Sequence, residues 1–349
     1  MDYRTLGRSE LKVSALCLGT MTFGQQNTEA EGHAQLDFAF ERGINFIDTA
    51  EIYSIPPRPE TQGSTERIIG SWLASRKNRD KVIIATKVAG RGDANWLRAD
   101  ERGTKLDARS VAEAIEGSLK RLRTDYVDLY QLHWPDRSVP LWGASGTRWR
   151  DPSRRDEVPI EETLAALDAL VKAGKVRHVG LSNETPWGVA QFLSASGRGI
   201  GPRMASIQNA YNLLNRCFEM GLAEFAFREQ VGLLAYSPLA QGYLTGKYQN
   251  GALPPGARTT LFGRGQRYET PGAAAAIDKY LALAQEIGRD PAQLALAFVT
   301  SRAFVTSNII GATTMDQLRT DIDSINVTIT PEIEARIDKI HQLHSNPSP

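Results

Sequence analysis

Four side chains have types that together can move a proton to an oxygen: Asp48, Tyr53, Lys87 and His133. A tyrosine hydroxyl ordinarily titrates near pH ~10, too high for a ready donor at neutral pH. An ammonium beside it is expected to favour the phenolate and lower that value. A carboxylate would in turn keep the ammonium charged and oriented, and an imidazole could hydrogen-bond a substrate oxygen. Such a group would protonate a carbonyl oxygen as hydride reaches the carbon, or run the reverse, without a metal. Taken singly, each has a plainer use. Asp48 could cap a strand end, Lys87 could be a solvated terminus, Tyr53 could pack, and His133, beside Trp134 and Pro135, could be structural. The plainer use weakens when successive strand ends all carry such groups.

The elements that must bring them together are legible as an alternation. Short apolar runs predict strands at Ala15–Leu18, Asn45–Asp48, Val82–Ala85, Val127–Leu132, Lys175–Leu181, Met204–Gln208, Leu233–Tyr236 and Ser307–Gly311. Between them lie segments of helical period. The first carries Leu36, Ala39 and Phe40 on one stripe before Gly43. Others cover Thr65–Arg76, a stretch after the N-cap Asp107, Glu161–Ala173, Trp187–Ser194, Phe218–Arg228, Ala273–Ile287 and Met315–Ser324. Strands alternating with helices imply parallel pairing through right-handed crossovers. Eight units in this length predict an α/β fold, a (β/α)8 TIM barrel, with a doubly wound open sheet as the rival. In the barrel Asp48, Lys87 and His133 fall at the C-terminal ends of consecutive strands, with Tyr53 in the loop leaving the first of these.

Tyr3–Val13 predicts a hairpin within residues 1–13, placed to plug one end of the barrel. Two stretches interrupt the rhythm, 135–159 and 243–271, and loops of that length are commonly functional. The first, which follows directly on His133, is expected to form a substrate-facing lid through Trp142 and Trp149, with Trp134 just before it as a further substrate contact.

Composition narrows the classes. The chain has 349 residues, 41% hydrophobic and 23% charged, as in an ordinary globule. The balance of 41 Lys plus Arg against 40 Asp plus Glu offers no bulk-charge argument for nucleic acid or an acidic membrane. With only Cys17 and Cys217, a disulfide scaffold is not expected and a reducing cytoplasm is the default. No apolar leader or membrane-length run is apparent. One domain over 1–349 is the expectation, with the oligomeric state open.

The motifs also resemble a known family. Gly43-Ile-Asn-Phe-Ile-Asp48-Thr-Ala-Glu-Ile-Tyr53 is similar to the aldo-keto reductase pattern GxxxxDTAxxY. Thr86-Lys87 matches the family's lysine strand, and Asp128-Leu-Tyr-Gln-Leu-His133-Trp-Pro135 matches DLYxxHWP. The likeness continues through Gly180-Leu-Ser182-Asn183, Gln208-Asn209, Ala235-Tyr236-Ser237-Pro238-Leu239 and Ile310-Gly311-Ala312-Thr313-Thr314. Within the family, the Glu51–Gly63 stretch and the chain's ending look most like the bacterial Tas-type branch. Potassium channel β subunits are more distant relatives.

The resemblance implies NADP(H)-dependent reduction of an aldehyde or ketone, with Tyr53 as proton donor tuned by Lys87 and Asp48, and His133 orienting the carbonyl. It implies a cofactor site that begins at Gly19, Thr20, Met21 and Asp48. Ser182, Asn183 and Gln208 would hold the nicotinamide carboxamide, and Tyr236 would stack on the ring. Ser237, Leu239 and Gly242 would meet the pyrophosphate, and Lys247 and Arg264 a phosphate. Gly311, Thr313, Gln317 and Asp321 would lie toward the adenine end. Asp321 replaces the family's usual asparagine. The alternative function is an NADP(H)-binding redox sensor or adaptor with little turnover.

Four other patterns are set aside. Tyr243-Leu-Thr-Gly-Lys247 spells the YxxxK of short-chain dehydrogenases, but the glycine-rich N-terminal turn that fold needs is missing. Gly246-Lys247 lacks the remainder of a P-loop. Gly197-Arg-Gly199-Ile-Gly201 reads as a linker. His341 and His344 have no third ligand, so no metal is expected.

Overall fold

The computed structural model describes residues 1–142, 156–263 and 266–349. The chain opens with a two-stranded antiparallel hairpin, β1 (Tyr3–Thr5) and β2 (Lys12–Ser14). Eight strands follow: β3 (Leu16–Gly19), β4 (Phe46–Asp48), β5 (Ile83–Val88), β6 (Val127–Leu132), β7 (Val176–Ser182), β8 (Met204–Ala210), β9 (Gly232–Tyr236) and β10 (Val305–Ile310). They pair in parallel, and β10 closes on β3, so the sheet is a barrel and not the open rival.

Helices α1 (Glu29–Glu41), α2 (Ser64–Arg76), α3 (Ala108–Leu122), α4 (Ile160–Lys172), α5 (Pro186–Gly197) and α6 (Leu222–Arg228) connect successive strands. The last crossover holds α7 (Arg258–Phe262), α8 (Ala273–Glu286) and α9 (Pro291–Thr300), and the chain finishes with α10 (Met315–Asp323) and α11 (Pro331–Leu343). Local chemistry sets the helix starts. Thr28 and Glu31 form a reciprocal capping box on α1, and the Asp107 carboxylate accepts from Ser110 N on α3. The expected helix over Phe218–Arg228 is broken at Gly221, whose φ of 115° only glycine adopts readily. A 3₁₀ turn, Cys217–Glu219, precedes the break.

Two cores result from the strand period of two. Outward residues such as Ile47, Ile84 and Tyr130 join Leu36, Trp72, Ile115 and Leu164 of the helices. Inward residues Cys17, Phe46, Ile83, Ala85, Leu129 and Leu234 form a separate inner core with Leu6, Leu11 and Val13 of the hairpin. The hairpin is therefore the plug that the sequence predicts. Gly7, at φ 58°, presses its turn so close that a Cβ there would lie 2.3 Å from Ala205 O. Arg4 ties the plug down through the carbonyls of Thr300 and Val305.

Two residues on from the apolar set, the inner face changes character. Phe46 leads to Asp48, Ala85 to Lys87, Leu129 to Gln131 and then His133, and Leu234 to Tyr236. The barrel interior is thus apolar at its plugged end and polar at its open C-terminal end. No helix among the described residues is long and apolar enough to cross a membrane.

Candidate active site

Strand register sets the level of each polar group. Asp48 pairs with Gly19 and Ala85, Lys87 with Gln131, Ser182 with Gln208, and Ala210 with Tyr236. Lys87 is fully buried, and its ammonium donates to Asp48 Oδ2 at 2.6 Å and to Thr49 O at 2.8 Å. It reaches the Tyr53 hydroxyl at 3.4 Å. The other Asp48 oxygen accepts from Gln208 Nε2 at 2.8 Å and Gln131 Nε2 at 3.3 Å. Thr20 holds the same strand end through the Asp48 carbonyl.

Burial pulls the lysine toward neutrality, but Asp48 and Tyr53 outweigh it, so its pKa rises above the usual value and the ammonium is kept. The tyrosine differs from the sequence expectation. Burial raises the Tyr53 pKa, Lys87 only partly opposes it, and Asp48 adds to the rise. The ammonium sits closer to the carboxylate than to the phenol, and the carboxylate cancels much of its field. Tyr53 is accordingly a protonated hydroxyl at neutral pH. His133 meets its ring edge-on, at 5.5 Å between centroids. Burial, and then the charge of Lys87, drive the imidazole well below the usual histidine range, so it is neutral. Its Nδ1 is buried without a hydrogen-bond partner. The four expected catalytic residues are therefore gathered at one mouth of the barrel.

Two residues complete the arrangement that the sequence reading passed over. Gln131, whose amide joins Asp48 to Gln208, was detectable as the one inward amide between Leu129 and His133. Glu51 accepts from Ala89 N and takes a two-pronged ion pair from the buried Arg98, locking the loop that follows β5 to the segment carrying Tyr53.

Beside this group lies a second cluster. Asn183 donates to His133 O and Ser182 Oγ, and accepts from the Tyr236 hydroxyl at 2.6 Å. Ser182 donates to Gln208 O. Beyond β9, Ser237, Ala240, Gln241 and Gly242 all have positive φ, a run that turns backbone N–H groups into an anion-holding concavity. Leu239 lies in this run, and Lys247 packs so tightly on Gly242 that a Cβ there would meet its Cε at 2.6 Å. Arg258, which the sequence reading did not single out, brings Nη1 to 4.0 Å from Met21 Sδ. Gln317 accepts from Thr313 N, just beyond Gly311. Asp321 is buried, with Oδ2 unpartnered. Burial and Asp290 push its carboxyl up to about 8 against the pull of Lys247, so at neutral pH it is mostly a neutral acid that can donate as well as accept. A flat ring, a set of amides, a left-handed loop and two cations fit a dinucleotide.

Arg264 and Trp149 lie outside the described residues. The 243–271 stretch is less of a loop than its composition predicts, because it includes α7 and several 3₁₀ turns. Trp142 packs edge-on against Trp134, at 5.2 Å between centroids. A larger cavity, about 390 Å³, opens alongside between α4 and α5 and contains none of the four catalytic candidates. Cys17 and Cys217 are both free thiols. Among the described residues no group of three or more His, Cys, Asp or Glu is placed to hold a metal.

A plugged parallel barrel with an Asp–Lys–Tyr–His group at its open mouth is the frame of a carbonyl-active oxidoreductase. Residues 15–342 match the model of the aldo/keto reductase family, and the chain belongs to that family. It is 50% identical to Protein tas of Escherichia coli over the full length of both chains. It is 35% identical to the uncharacterized oxidoreductase YrpG of Bacillus subtilis, covering 97% of this chain and 96% of that one. A probable voltage-gated potassium channel subunit beta of Arabidopsis thaliana is 32% identical over 98% of this chain and 96% of its own.

Proposed function

We propose that the chain reduces an aldehyde or ketone to an alcohol, reversibly and with NADPH, acting as one cytoplasmic barrel domain. The observation that carries this is the buried line Asp48–Lys87–Tyr53, with 2.6 Å and 3.4 Å between its members. Ser182, Asn183 and Gln208 supply a carboxamide's partners, and Tyr236 a flat face for its ring. The left-handed loop around Ser237–Gly242 suits the pyrophosphate, with Lys247 and Arg258 as countercharges. Asp321, with Gln317, is suited to the adenine end. Bound there, the cofactor supplies hydride.

The chain's own residues do the proton chemistry. Tyr53, held protonated by burial, gives its hydroxyl proton to the carbonyl oxygen. Lys87 stabilises the phenolate left behind, and Asp48 keeps Lys87 charged and aimed. Neutral His133 can hydrogen-bond the same oxygen without competing for the proton.

NADPH oxidation, followed by absorbance with a panel of small and aromatic aldehydes, tests the reading. Tyr53→Phe is expected to cut turnover by ~100-fold or more with NADPH binding nearly intact. An undiminished rate would sink the assignment of the acid. Tight NADPH binding with no turnover on any aldehyde would instead support a redox sensor or adaptor, the reading favoured by the likeness to the channel subunit.

A further inference from the structure

A cavity of about 240 Å³ lies over the C-terminal ends of β7, β8 and β9 and is lined by Asn183, Tyr236, Trp142, Phe218, Met220 and Arg267, among others. Its polar groups are nearly all engaged. Asn183 has the three partners given above. Asn209 exchanges hydrogen bonds with the backbone of Glu184. The Glu184 carboxylate, the one acid of the wall among the described residues, is gripped by both terminal nitrogens of Arg137. Arg267 differs in having no carboxylate partner among the described residues. Its guanidinium lies 5.8 Å from the Tyr236 ring centre and 5.6 Å from that of Tyr268. Its Nε is buried with no partner, its guanidinium hydrogen-bonds the Tyr236 hydroxyl, and among the described residues the titratable groups acting on it are the two tyrosines, with no carboxylate.

A cation drawn out of water without an anion is costly, and an anionic ligand group seated beside it would offset that cost. The remaining wall describes the rest of that ligand. Trp142 and Met220 stand 53% and 76% exposed at the rim, apolar surface that the body of a ligand seated here would cover. The cavity also adjoins the catalytic group. Ring contacts run from Trp142 to Trp134, on to His133 at 5.0 Å, and then to Tyr53. A void of ~150 Å³ holds a benzene-sized molecule, so this one has room for a ring and a carboxylate.

Building on the reductase reading above, we propose that this cavity seats the carbonyl substrate, and that Arg267 takes a carboxylate at the far end of its apolar body. The substrate class is then an aldehyde or ketone acid. Nothing in residue type or spacing singles out Arg267 among the arginines around it, and the cofactor features described above do not use it.

The test compares 4-carboxybenzaldehyde with its neutral methyl ester, using NADPH and the whole chain. The acid is expected to be preferred in kcat/KM by about 10-fold or more, the scale of one charge-assisted contact. In Arg267→Met that preference should collapse, in Arg267→Lys it should partly return, and the Kd for NADPH should move less than about twofold. Equal kcat/KM for acid and ester in the unaltered protein would overturn the proposal. So would a Met variant that loses both substrates equally while its NADPH affinity falls, since the guanidinium would then serve a cofactor phosphate. Calorimetric titration of benzoate into the NADP⁺-loaded protein separates this proposal from the reductase reading. Benzoate binding that is lost in Arg267→Met upholds the site even if no aldehyde is turned over. Absence of benzoate binding together with no acid preference refutes it.

Discussion

Lys87 bears on two protonation states at once. Its own charge is held by Asp48 and Tyr53 against burial, and it favours the ionised form of Tyr53 against burial and Asp48. The sign of the resulting pH dependence follows. Reduction needs the Tyr53 proton, and the hydroxyl titrates above its ordinary value. Reductive kcat/KM for the carbonyl compound, measured at saturating NADPH so that titration of Asp321 in the cofactor site does not enter, should therefore be flat between about pH 6 and 9 and fall only on the alkaline side. Lys87→Met removes the neighbour that pulls the tyrosine down and leaves Asp48, which pushes it up. The alkaline limb should move to higher pH while the plateau drops by ~100-fold or more. A limb displaced toward lower pH, in a stopped-flow or steady-state profile, would contradict this electrostatic order. At this scale the sequence was informative wherever a polar residue ended an apolar strand, as Asp48, Lys87 and His133 do. It was silent on Arg267, because that arginine lies among others in a glycine-rich stretch and only folding decides which of them is buried. It also misjudged the direction of the Tyr53 shift, since neither burial nor the 3.4 Å gap to Lys87 can be read from spacing.

Helix α2 shows how closely the outer ring is fitted. A Cβ on Gly70 would stand 2.2 Å from Arg121 O and 2.8 Å from the Leu122 carbonyl carbon, both backbone atoms of α3. Neither can swing aside as a side chain would. Gly70→Ala should therefore cost about 1–3 kcal/mol or more and lower Tm by several degrees in thermal unfolding. An unchanged Tm would mean that α2 and α3 separate freely. The elements most legible in sequence were those with one buried stripe, such as α3 with Val111, Ile115, Leu119 and Leu122. Helix α9 escaped notice because it is buried on nearly every side, between α8, α10 and β10, and so has no polar face to give it a period. Helix α11 follows the eighth unit, where the alternation predicts nothing further.

At the scale of the molecule, eight alternations favoured a closed barrel and left an open sheet as the rival, because both architectures bury parallel strands on both faces; the pairing of β10 with β3 decides between them. The hairpin was legible too, and its plugging of one mouth has a kinetic consequence. A vessel with a single opening fills and empties as a stack. Under the proposed reading, the dinucleotide lies along the strand ends and the carbonyl compound above it, so the second arrival shuts in the first. Binding should be compulsory in order, cofactor before substrate, with the alcohol departing before the spent dinucleotide. Product-inhibition patterns check this: NADP⁺ should compete with NADPH, and the alcohol should not. Competition between the alcohol and NADPH would mean that the barrel has a second way in.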